Sequence, residues 1–110
     1  MNEYIIKGIL SELEFETELV SGKEEYKIEI KTVDDRTAEM IITDPNDLYH
    51  TQSVLITVGK MTDGENVGVK ASYKKKNWVE RFPSTGTLID NIPSVITFLK
   101  DVAKSIVREM

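Results

Sequence analysis

Residues 92–110 read IPSVITFLKDVAKSIVREM. At about 100° per residue, Ile92, Val95, Ile96, Phe98, Leu99, Val102, Ala103, Ile106, Val107 and Met110 share one half of a helical wheel. Thr97, Lys100, Asp101, Lys104 and Arg108 fill the other half. The pattern predicts an amphipathic helix over 92–109. Asp90 or Asn91 stands where a cap would satisfy its first amides, and Pro93 falls where a missing N–H costs nothing. A stripe a little wider than 100° seats a helix on a core. This one is close to twice as wide, so it needs a broad apolar surface beneath it.

The upstream chain supplies that surface. Residues 11–20, SELEFETELV, alternate with Leu13, Phe15, Thr17 and Leu19 on one side and four glutamates on the other, the period of a half-buried strand. Ser21-Gly22-Lys23 marks a turn, and Tyr26, Ile28, Ile30 and Thr32 alternate next. A two-residue loop at Gly22-Lys23 sets Leu19 opposite Tyr26 and Thr17 opposite Ile28. It also sets Glu18 against Lys27 and Glu14 against Lys31, and such opposed charges favour this register by about 0.2–1 kcal/mol each. A three-residue loop at 34–36 then aligns Ala38, Met40 and Ile42 with Thr32, Ile30 and Ile28. Residues 44–52, DPNDLYHTQ, read as loop because of Pro45 and the surrounding turn formers. Asp63-Gly64 signals a hairpin that pairs Val58 with Val69, Ile56 with Ala71 and Val54 with Tyr73.

The expected fold class is α+β: an antiparallel meander of about five strands with one C-terminal amphipathic helix across its inner face. The strands are expected at about 3–20, 24–33, 37–43, 53–61 and 66–76, followed by a loop over 77–91 and the helix over 92–109. Residues 1–10 are read as the start of a first strand bending near Gly8, in preference to a short helix. One domain accounts for all 110 residues, a length sufficient for its own core.

Composition limits the function. With 19 acids against 14 bases the net charge is −5, which disfavours broad adhesion to nucleic acid or anionic membrane. Absence of cysteine removes disulfides and thiolate metal sites. No apolar run approaches the length of a membrane span, and the expected location is the cytoplasm.

Few residues are arranged for chemistry. His50, the single histidine, lies near Asp44, Asp47 and Tyr49 and could act as a general base or a metal ligand. Zinc requires three or four close ligands, and no second nitrogen donor stands nearby. The short acidic turns at Asp34-Asp35 and Asp63-Gly64 lack the ligand spacing of a calcium loop. The chain contains neither a phosphate-binding glycine loop nor a nucleophile elbow, so no catalytic residue, metal or cofactor is expected.

Two surfaces invite a binding function. The segment from Lys74 to Phe82 concentrates Lys74, Lys75, Lys76 and Arg81 around Trp78, the single tryptophan. With Lys70 on the same outer face as Lys74 and Lys76, it offers the alternation of cations and rings that single-stranded nucleic acid uses. Lysines also protect edge strands from aggregation. The second surface comprises Ile41 and Leu55, outward on the sheet, and Phe98 and Val107, at the two margins of the wide helix stripe. The leading expectation is a non-catalytic binding or assembly module with a protein partner or a second copy of itself. The alternative is a single-stranded nucleic-acid-binding protein, and the third reading is a small-ligand carrier or enzyme with a site near His50.

Overall fold

A computed structural model describes residues 8, 10–14, 16–60, 67–82 and 88–109. Six strands form one antiparallel sheet in sequence order: β1 (Glu16–Ser21), β2 (Glu24–Thr32), β3 (Thr37–Asp44), β4 (Asp47–Lys60), β5 (Val67–Tyr73) and β6 (Lys76–Phe82). The helix α1 (Leu88–Val107) follows. The α+β meander with a C-terminal helix is therefore the fold, with one strand more than the sequence predicts.

The registers are those that side-chain alternation dictates. Leu19 faces Tyr26 and Glu18 faces Lys27 across the first hairpin. Ile30 faces Met40 and Lys31 faces Glu39 across the second. Ile56 faces Ala71 and Val58 faces Val69 between β4 and β5. The register centres that last pair of strands on Asp63-Gly64, which lies outside the described residues, as do Phe15 and Met110. In the β1–β2 turn Gly22 has φ 64, where a residue without Cβ pays no steric penalty.

One apolar cluster joins sheet and helix. Leu19, Ile28, Ile30, Met40, Ile42, Val54, Ile56, Val58 and Val69 pack with Val95, Leu99, Val102, Ala103, Ile106 and Val107. The backbone of α1 approaches β1, β5 and β6 more closely than the middle strands. The sheet thus curls round the helix, with the bulky Met40 and Ile56 filling the deeper centre. Of the broad helix stripe, Val95, Leu99, Val102, Ala103, Ile106 and Val107 are buried, and Ile92, Ile96 and Phe98 are half-buried.

Four sequence expectations need correction. Residues 10–12 are helical, not strand. Leu10 and Leu13 are both buried, and a three-residue spacing brings them to one side of a helical turn but to opposite faces of a strand. Glu14 consequently precedes β1, where its carboxylate accepts the Thr32 amide at 3.3 Å instead of facing Lys31 from a strand. Second, residues 47–52 belong to β4. Only Pro45-Asn46 makes the turn, with the Asn46 amide bonded to Asp44 Oδ1 at 2.8 Å.

Third, residues 76–82 form β6, within the stretch read as connection. Lys74-Lys75 makes its turn, Lys74 adopting φ 54, a position where sequence reasoning looks for Gly or Asn. The strand lacks simple alternation because Val79 faces out and half-buried Glu80 faces in. Fourth, α1 begins at Leu88, so Asp90 and Asn91 lie within it and do not precede it, and Pro93 is interior.

The 34–36 loop is fixed by Asp34, whose Oδ1 accepts the amides of Arg36 and Thr37 at 2.9 Å each. The Arg36 amide first, then the hydroxyl and amide of Thr37, hold this carboxyl below the ordinary aspartate range. A depressed native pKa means that the loop's stabilisation is present above the unfolded value near 3.9 and disappears as pH falls through the lower native value. An NMR titration of the Asp34 carboxyl, followed with the Arg36 and Thr37 amides, should give a common midpoint below about 3.9. A midpoint at or above that value would contradict the capping role.

Candidate functional site

His50 sits at the projecting β3–β4 end, where Leu48, Tyr49 and His50 bulge between the pairs Thr43↔Thr51 and Asp44↔Asp47. Its Nδ1 lies 3.7 Å from Asp44 Oδ2, and its Nε2 lies 3.1 Å from Gln52 Nε2. Tyr73 donates its hydroxyl to Gln52 Oε1 at 2.6 Å. That bond orients the amide so that Gln52 Nε2 is the donor to His50 Nε2. The neutral imidazole therefore carries its proton on Nδ1, facing Asp44.

A base oriented by a carboxylate is half of a catalytic arrangement. Among the described residues, its other partner is the Gln52 amide, which in turn binds the buried Tyr73 phenol. Asp47 does not join the imidazole, because its Oδ1 accepts the Tyr49 amide at 3.1 Å. Among the described residues no group of three or more His, Cys, Asp or Glu could hold a metal ion. The arrangement fixes the shape of the β3–β4 end.

The basic segment is divided by the sheet. Lys70 and Arg81 are exposed on the outer face, paired with Val79 and Gly68. Trp78 pairs with Ala71 and packs half-buried against the core on the inner face. Lys76 pairs with Tyr73, likewise an inner position, and binds the Glu109 carboxylate beyond the end of α1. Lys74 and Lys75 occupy the turn, with Lys74 Nζ 5.2 Å from the Tyr73 ring centre. The expected single strip of lysines with an aromatic stacking platform therefore does not form. The turn at 74–75 reverses the chain and sends Lys76 and Trp78 to the face opposite Lys70.

Of the proposed interface residues, Leu55 is 49% exposed and Ile41 is partly exposed on the outer face. Phe98 packs half-buried against the core. Val107, only 6% exposed, belongs to the core. Sequence reasoning missed Val20, Leu48, Tyr49 and Val79, all largely exposed. The alternation around Leu19 could have identified Val20 as outward.

Charge is unevenly spread over the outer face. β1 and β2 place Glu16, Glu18, Glu25 and Glu29 there with Lys27 and Lys31. Lys27 lies 3.7 Å from Glu16 and Lys31 lies 3.1 Å from Glu29. Glu18, as hydrogen-bond partner and then as like charge, holds the Glu25 carboxyl above the ordinary glutamate range. The outward residues of β4 are uncharged: Thr51, Ser53, Leu55 and Thr57. Beyond them lie Lys70 and Arg81. The face thus runs from acid to base across a neutral middle strand.

No family model matches this chain, and no curated protein and no solved structure matches it. Among the described residues no helix is long and apolar enough to cross a membrane.

Proposed function

We propose that this protein is a non-catalytic binding module whose contact surface is the outer face of the sheet together with the projecting β3–β4 end. One observation carries the reading. Val20, Val33, Leu55 and Val79 occupy outward positions, Leu48 and Tyr49 project from the β3–β4 end, and these six are the exposed large apolar side chains among the described residues. None of them belongs to α1. Val33, Leu55 and Val79 lie around Thr57 on this face. Exposed apolar side chains that lie together mark interaction sites, and tyrosine is frequent among the residues that dominate binding.

A photo-crosslinking side chain at position 55 or 49, in the full chain produced in cells, tests the proposal. Position 100, on the solvent side of α1, serves as control. Discrete protein adducts at 55 and 49, several-fold above the control, are expected. Equal labelling at all three positions would remove the outer face as a binding surface.

A further inference from the structure

Among the described residues, the acidic and basic ends of the sheet are also its two outermost strands. Residues 16–32, the first hairpin, contain five acids (Glu16, Glu18, Glu24, Glu25 and Glu29) and three bases (Lys23, Lys27 and Lys31). Residues 67–82, the last hairpin, contain five bases (Lys70, Lys74, Lys75, Lys76 and Arg81) and one acid, Glu80. The molecule presents one acidic edge and one basic edge, and the binding-module reading leaves the basic cluster without a role.

From the strand order and charge of these edges we propose that copies of this chain associate head to tail, β6 of one protomer pairing with β1 of the next.

Strand direction permits it. In a six-strand antiparallel meander the last strand runs opposite to the first, so a copy in the same orientation continues the antiparallel sheet. Face matching is more restrictive. Outward residues must pair with outward ones, because a slip by one residue puts each side chain on the wrong face. The register that places Arg81 opposite Glu16 of the neighbouring protomer satisfies this rule along both strands. It sets Val79 against Glu18 and Asn77 against Val20 on the outer face. On the inner face it sets Trp78 against Leu19, Glu80 against Thr17 and Lys76 against Ser21. Six residues thus meet six residues, with opposite charges at one end and an aromatic–aliphatic pair near the middle.

The competing pairing of two β1 edges gains nothing from charge. Two of its face-matched antiparallel registers bring Glu18 against Glu18, or Glu16 against Glu18, and like charges directly opposite destabilise a ladder. The third sets Glu18 against Val20 and opposes no unlike charges. Head-to-tail contacts do not satisfy themselves in a pair. They give a ring where the curvature closes and an open series where it does not.

The test uses the full chain and two charge-reversed variants in sedimentation velocity at low salt. Lys74→Glu, Lys75→Glu and Arg81→Glu together make both edges acidic, and Glu16→Lys with Glu18→Lys makes both basic. The parent chain is expected to form species larger than a dimer at tens of micromolar and to dissociate as salt rises. Each variant alone should associate at least tenfold more weakly, and an equimolar mixture should regain the parent's assembly, which also shows that both variants are folded. A parent that stays at 12.5 kDa, stops at a dimer, or associates equally well in either variant would overturn head-to-tail pairing. A monomeric parent that still crosslinks to another protein from position 55 would overturn this inference and leave the binding-module reading intact.

Discussion

Replacing Ile56 with aspartate is expected to leave no folded chain at room temperature, while Leu55→Asp, one residue away, folds with stability within about 1 kcal/mol of the parent. The two positions are adjacent in β4 and differ only in the face they occupy. Ile56 is fully buried, between Ala38 on β3 and Ala71 on β5, beneath the helix. An ionised carboxylate there loses its hydration with no cation to replace it, a net cost of several kcal/mol. A small domain has only about 5–15 kcal/mol in total. Leu55 faces solvent beside Glu39 and Ser72, where an added charge keeps its water. Circular dichroism melts of the two variants check this. A cooperative transition for Ile56→Asp near the parent's would mean that β4 is turned over.

Leu99→Ala is expected to lower stability by about 3 kcal/mol, whereas Lys100→Ala changes it by less than about 0.5 kcal/mol. Leu99 is 1% exposed and lies midway along α1 over the curled sheet. Truncation removes favourable burial and leaves a void that the surrounding strands, hydrogen-bonded to their neighbours, cannot collapse to fill. For a chain of this length the melting temperature should fall by roughly 10–20 °C. Denaturant titration with an unchanged slope would confirm that the loss is in packing. A loss below about 1 kcal/mol would place α1 loosely on the sheet, contrary to the continuous core.

The parts of this fold legible in the sequence are those where period and polarity agree. Leu19, Ile28, Ile30, Met40, Ile56 and Val69 are inward positions that one register satisfies in each hairpin, so β1 with β2, β2 with β3 and β4 with β5 could be aligned residue by residue, whereas β3 with β4 could not, because residues 44–52 read as loop. Alternation failed where other effects governed the backbone. Leu10 and Leu13 follow a helical spacing too short to recognise. In β6, at the edge, polar residues are tolerated on both faces, so Glu80 and Val79 give no period. The Lys74-Lys75 turn carries no glycine signal, and missing it placed Lys76 on the same face as Lys70 and suggested a nucleic-acid strip that the sheet divides. The wide helix stripe divides into a buried part that includes Val107 and a half-buried part formed by Ile92, Ile96 and Phe98. Ile41 and Leu55 were legible as outward residues. Leu48 and Tyr49 were not, because a three-residue bulge follows neither period.

The outer face and the two edges, and not the helix, are the surfaces through which this protein is held to act. A dilution series of two-dimensional amide NMR spectra at low salt, from millimolar to micromolar protein, reads that assignment one residue at a time. Concentration-dependent shifts are expected at Glu16, Glu18, Val79 and Arg81 on the edges, weakening towards Leu55, with Lys100, Lys104 and Arg108 unchanged. Shifts centred on Lys100 and Lys104, with the edges silent, would contradict the account.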